Sequence, residues 1–140
     1  RSLGDVVDFD EIADRLLSSV LDLRDGGDGT VSARRIGSFG SLPGEVATPL
    51  AMVLTELVQN AATHAFVDGS GTITVAVNRI RHRLRLRITD DGGGLPAGFD
   101  GTGGLGLSIV RTLVDGELGG TLSFESNRQA GTTVAISLVV

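Results

Sequence analysis

The chain has 140 residues, the length of one domain with one core. It contains no Cys, Trp or Tyr, and its twelve basic residues are all Arg, which excludes a disulfide framework, a thiolate zinc site, a Schiff-base lysine and the lysine-bearing phosphate loop. A net charge of −5 argues against a general nucleic-acid binder, and no apolar run approaches the roughly 18 residues of a membrane span.

The N-terminus shows neither an initiator Met nor a basic stretch followed by an apolar one, so the expectation is a fragment of a longer protein without a visible signal peptide. A cytoplasmic setting is the default expectation for a cysteine-free domain. Asp8 followed by Glu11 reads as a capping pair, and Phe9, Ile12, Ala13, Leu16, Leu17, Val20 and Leu21 repeat at helical spacing, predicting a first helix to about Leu23. The turn-rich run Asp25–Gly29 ends it, a strand is expected at Val31–Ile36, and a loop through Gly37–Ala47. Thr48-Pro49 reads as a cap with proline in the first helical position, opening a second helix to about Ala65. A turn at Asp68–Gly71 leads to two alternating strands, one through Ile73, Val75 and Val77 and one through Arg83–Ile88. A glycine-rich stretch without periodicity precedes a third helix from about Leu105 to Glu117. A hairpin closes the chain, with Leu122 and Phe124 on one arm and Val134, Ile136 and Leu138 on the other. Strands joined by short turns with helices grouped between them predict a single-domain, two-layer α+β sandwich over residues 1–140.

Three local patterns stand out. In the arginine strand, Arg81, Arg83, Arg85 and Arg87 share one face while Leu84, Leu86, Ile88 and then Asp90 share the other, so Asp90 leaves the strand on the core-facing parity. A buried carboxylate is costly without hydrogen-bond donors, and Leu95–Gly103 offers no partner strand that would make Asp90 a hairpin residue. On the second helix, Glu56, Asn60 and His64 recur every four residues as one polar ridge. Such ridges are usually solvated faces, but Asn60 offers an amide oxygen suited to Mg²⁺ and Glu56 a carboxylate suited to general-base work. Finally, eight of the 21 glycines fall in Gly92–Gly106, and Gly101-Thr102-Gly103-Gly104-Leu105-Gly106 runs into a helix whose N–H groups suit an anion. That string also fits the dinucleotide G-x-G-x-x-G, with Glu125 about 20 residues on, but it does not follow a strand directly and repeated βαβ units are missing.

Together these pieces resemble the GHKL (Bergerat-fold) ATPases. Leu54–Ala65 resembles their N box, Asp90-Asp91-Gly92-Gly93-Gly94-Leu95-Pro96 their D-x-G-x-G box, Gly104–Val110 their second glycine box, and Gly131-Thr132 the pair that opens the last strand. Within that superfamily the chain is most similar to the catalytic domain of bacterial sensor histidine kinases. The short stretch between Gly94 and Gly101 is similar to their short-lid subset.

The resemblance implies a mixed, mostly antiparallel sheet covered on one face by three helices, with ATP and Mg²⁺ between the layers. It implies that Asp90 accepts a hydrogen bond from the adenine amino group, with Gly92 and Gly94 shaping that side and Thr132 reaching toward it. Asn60 would hold Mg²⁺, Glu56 would be the catalytic base or polarising residue, and Gly104 and Gly106 would shape the phosphate side. Gly101, Gly103, Leu105 and His64 complete the implied ATP-binding set. The implied partners are a dimerisation and histidine phosphotransfer domain upstream in the same protein, through which a homodimer would form, and a response regulator. Two other readings stay open at this point: a stand-alone GHKL serine kinase that sequesters a sigma factor, and a nucleotide sensor without catalysis, which Thr63 permits where many relatives carry a basic residue. Nucleic-acid binding by Arg79–Arg87 is not expected, because the domain is acidic and lacks Tyr and Trp for stacking.

Overall fold

A computed structural model of the chain describes residues 6–23, 31–64, 71–91, 104–127 and 131–140. Strand β1 (Val6–Asp8) leads into helix α1 (Phe9–Leu23). Strands β2 (Val31–Ile36) and β3 (Ser41–Pro43) precede helix α2 (Gly44–His64), and β4 (Gly71–Ile80) and β5 (Arg83–Asp90) form a hairpin. Helix α3 (Gly104–Thr112) continues as a π-helical turn at Leu113–Glu117, and β6 (Thr121–Asn127) and β7 (Gly131–Val139) end the chain. The main sheet has the order β2-β4-β5-β7-β6; only β2–β4 is parallel. The helices cover one face, as expected for the two-layer α+β sandwich.

The core forms where the two periodicities meet. Helix α1 buries Phe9, Ala13 and Leu17, and α2 buries Leu50, Val53, Leu54, Leu57 and Val58, all at spacings of three or four that line one helical face. Beneath them lie the inward residues of the sheet: Ile73 and Val75 on β4, Leu84, Leu86 and Ile88 on β5, and Val134, Ile136 and Leu138 on β7. The register sets Leu86 between Val77 and Ile136, so the inward side chains of three strands form one apolar layer. The outward residues Arg83, Arg85 and Arg87 are exposed, as alternation along the strand requires.

Three features depart from the sequence expectations. The segment expected to be a loop contains β3, which pairs antiparallel with β1 in a separate two-stranded sheet. Helix α2 begins at Gly44 rather than at Thr48-Pro49, so Pro49 lies inside the helix. Pro49 is the sixth residue of α2, and the hydrogen bond its missing N–H forgoes is the one to the Glu45 carbonyl, near the start of the helix. The third helix widens into π geometry after Thr112, with the Leu118 amide donating to the Leu113 carbonyl (2.9 Å) and the Gly120 amide to that of Val114 (2.8 Å).

Polar contacts fix the entry of α1 onto the sheet. Arg35 donates to both Asp14 carboxylate oxygens (2.9 and 3.1 Å) and lies 3.5 Å from Asp10, while Asp10 accepts from the Phe39 amide (2.7 Å). The Arg35 guanidinium, through that hydrogen bond, holds the Asp14 carboxyl below the usual carboxylate range. Phe9 and Phe39 meet edge-to-face with centroids 4.7 Å apart, which seats the two-stranded sheet against the main core. Arg79 reaches across from β4 to donate to the carbonyls of Phe39 (2.7 Å) and Ser41 (2.8 Å).

Gly37, which leaves β2, has φ +86°, and a Cβ there would lie 2.1 Å from the Val77 carbonyl oxygen. Both the left-handed backbone and the close approach demand glycine. Gly37→Ala is expected to cost about 2 kcal/mol or more, since strained φ and a backbone clash add. A loss of unfolding free energy in urea of less than about 0.5 kcal/mol would contradict the close packing of this turn against β4.

Candidate functional site

Four chain segments meet at one end of the sandwich. Asp90 is the last residue of β5, paired in register with Ile73 on one side and Thr132 on the other. It is 5% exposed and is the one buried charged residue among those described. The alternation of β5 brings it there: Leu84, Leu86 and Ile88 precede it on the helix-facing side. The next residue, Asp91, is exposed and faces away. It accepts from the Thr72 amide (2.8 Å), and its own amide donates to the Thr72 carbonyl (3.3 Å). These bonds clamp the end of β5 to the start of β4 and hold Asp90 at a fixed height. Sequence reading missed this role of Asp91, because cross-strand register is a non-local property.

Helix α2 brings the polar ridge to the same end. Glu56 and Asn60 are half-buried, one turn apart, while Leu57 and Val58 beside them are buried in the core. His64 ends the helix, and its side chain lies outside the described atoms. Only six residues separate His64 from Gly71, where β4 starts next to the Asp90–Asp91 end of β5. Helix α2 also packs against both α3 and β5. Gly104, Leu105 and Gly106 form the first turn of α3, so the second glycine box occupies a helix N-terminus. Thr132 is placed by register directly across from Asp90. Gly92, Gly94, Gly101 and Gly103 lie outside the described residues.

The structure therefore brings together the elements that carry Glu56, Asn60, Asp90, Gly104, Leu105, Gly106 and Thr132. A helix N-terminus, half-buried oxygen-bearing side chains and a buried carboxylate lie on elements that pack through α2, a combination suited to a ligand with phosphates at one end and a hydrogen-bond donor at the other. Among the described residues no group of three or more His, Asp or Glu side chains could hold a metal by itself. The amide oxygen of Asn60 instead suits Mg²⁺, which takes few protein ligands when phosphates supply the others. No helix among the described residues is long and apolar enough to cross a membrane.

This is the architecture of an ATP-binding domain. Residues 45–140 match the family described as histidine kinase-, DNA gyrase B-, and HSP90-like ATPases, and the chain belongs to that family. Among curated proteins, 99% of the chain aligns at 41% identity with the sensor histidine kinase PdtaS of Mycobacterium tuberculosis. It also aligns, over 69% of its length and at 36% identity, with blue-light-activated histidine kinase 2 of Erythrobacter litoralis. The chain spans 28% of the length of the first of these and 29% of the second.

Among solved structures, the histidine kinase domain of the Erythrobacter litoralis EL346 blue-light-activated kinase superposes with a TM-score of 0.81. That match is 28% identical and covers 99% of this chain and 65% of the other. The mycobacterial sensor histidine kinase MprB gives a TM-score of 0.70 at 26% identity, covering 96% and 95%. The chain thus corresponds to the ATPase catalytic part of sensor histidine kinases, and its fold is theirs.

Proposed function

We propose that residues 1–140 act as one ATP-binding catalytic domain of a two-component sensor histidine kinase. Its reaction would be transfer of the ATP γ-phosphoryl group to a histidine on an upstream dimerisation domain, from which the phosphoryl group passes to an aspartate of a response regulator. The observation that carries this reading is Asp90, a buried carboxylate at the end of a central strand, opposite Thr132 and at the D-x-G-x-G position. Asp90 accepts from the adenine amino group, with Thr132, Gly92 and Gly94 around it. The α3 N-terminus at Gly104, Leu105 and Gly106, with Gly101, Gly103 and His64, receives the phosphates. Asn60 holds Mg²⁺ through its amide oxygen, and that ion when bound neutralises charge on the phosphates. Glu56, one turn earlier, takes up or orients the proton of the accepting imidazole. The protein would work in the cytoplasm, and dimerise through its upstream domain.

The test separates the two α2 residues. In the full-length protein, Glu56→Gln is expected to slow histidine phosphorylation by about 10²- to 10⁴-fold while ATP affinity stays within about twofold. Asn60→Ala is expected to remove the Mg²⁺-dependent part of ATP binding and leave metal-free binding unchanged, as read by calorimetry with and without Mg²⁺. Undiminished phosphorylation in Glu56→Gln, or an unaltered Mg²⁺ dependence in Asn60→Ala, would remove these assignments.

A further inference from the structure

The helices cover one face of the main sheet; the opposite face is open among the described residues and has a different chemistry. Arg34 of β2 and Arg83, Arg85 and Arg87 of β5 all lie on it and are exposed. The one carboxylate among its described side chains is Asp91, which is engaged with the Thr72 amide. Arg83 donates to Ser137 (3.3 Å) rather than to a carboxylate, and neither Arg34 nor Arg85 forms an ion pair among the described residues. A chain of net charge −5 thus concentrates positive charge on one flat surface. Beside Arg34 the surface sinks into a cleft of about 410 Å³ lined by Ser32, Thr72, Thr74, Thr89 and the two aspartates Asp90 and Asp91. At the other end of the face, Ile80 and Val139 are 66% and 62% exposed on either side of Arg83.

From this charge separation we infer that the open sheet face is a docking surface for an acidic protein surface. Arg34 and Arg85 would pair with its carboxylates. Guanidinium groups match carboxylates two bonds at a time, and the neighbouring hydroxyls add directed donors at the strand spacing of about 4.8 Å. Arginines flanked by exposed aliphatic side chains are the composition of a protein interface. Five strands and an eight-residue central strand give a face of about 24 by 26 Å, or about 600 Å², close to one side of a small transient interface.

Two other polyanions fit less well. Single-stranded nucleic acid is held by stacking on aromatic rings, and the described Phe9, Phe39 and Phe124 all belong to the helix-facing side. An anionic membrane returns about 1 kcal/mol per basic residue, so four arginines reach about 4 kcal/mol and only millimolar binding.

The test uses a fluorescein-labelled oligoglutamate of about 20 residues, followed by anisotropy in the 140-residue protein. Expected is saturable binding that weakens at least about tenfold between about 50 and 300 mM salt, and at least about tenfold in the Arg34→Gln/Arg85→Gln variant. The same number of charges removed from the helix side, in Arg15→Gln/Arg111→Gln, should leave binding within about twofold, with circular dichroism unchanged in both variants. The inference is overturned by no binding to the native chain, by equal losses in the two variants, or by tighter binding of phosphatidylserine vesicles or oligothymidylate at the same ionic strength.

Discussion

Asp90→Asn is expected to lower the affinity of the domain for ATP by about ten- to hundredfold while leaving the fold intact. The reasoning starts from β5, whose alternation places Leu84, Leu86, Ile88 and Asp90 on the helix-facing side and leaves Asp90 5% exposed. A hydrogen bond to a charged acceptor in such a setting contributes about 1.5–3 kcal/mol, which is the stated range of affinity. Asparagine keeps the shape but presents a neutral amide, so the charge-assisted bond proposed to the adenine amino group would be lost. Folding should not suffer, because a neutral group of the same size relieves the cost of burying a carboxylate. Calorimetric titration with ATP, and with guanosine triphosphate as a base without that amino group, reads the effect. Unaltered ATP affinity in a folded Asp90→Asn protein would take Asp90 out of the base pocket, and with it the orientation proposed for the nucleotide.

What the sequence reveals and what it hides both follow from the range of the interactions. The parity of Asp90 was readable because alternation is local: three inward apolar residues precede it at a spacing of two. The ridge Glu56–Asn60 was readable for the same reason at a spacing of four, and both residues lie half-buried on α2. The start of α2 was not, since Thr48-Pro49 carries a strong local start signal that the buried contacts of Leu42, Ala47 and Leu50 override. Strands β1 and β3 are three residues each, too short to show a period, and are held by pairing and by Phe9 against Phe39. The clamp between Asp91 and Thr72 and the pairing of Asp90 with Thr132 join residues 19 and 42 positions apart, and no local pattern encodes such register. The expectation that Arg81 continues the exposed face needs refinement, because Arg81 sits in the β4–β5 turn with φ 55°.

The largest stability loss is expected from Leu86→Ala. Leu86 is fully buried at the middle of β5, beneath the helices and between Val77 and Ile136. Removing three carbon atoms there forfeits transfer free energy and leaves a cavity that paired strands on both sides cannot close, for a cost of about 2–5 kcal/mol. Against a total of roughly 5–15 kcal/mol, that is about a third of the stability of such a domain at mid-range. At about 3–4 °C per kcal/mol for this chain length, the thermal midpoint should fall by about 6–20 °C. Arg85, the preceding residue, points to the open face and is exposed, so Arg85→Ala should stay within about 0.5 kcal/mol. The pair measures the sheet's orientation directly: neighbouring positions on one strand, one supporting the layer that holds Asp90 and the other facing out. Equal costs at the two positions would mean that β5 does not separate a core face from an open one, and the placement of Asp90 would fall with it.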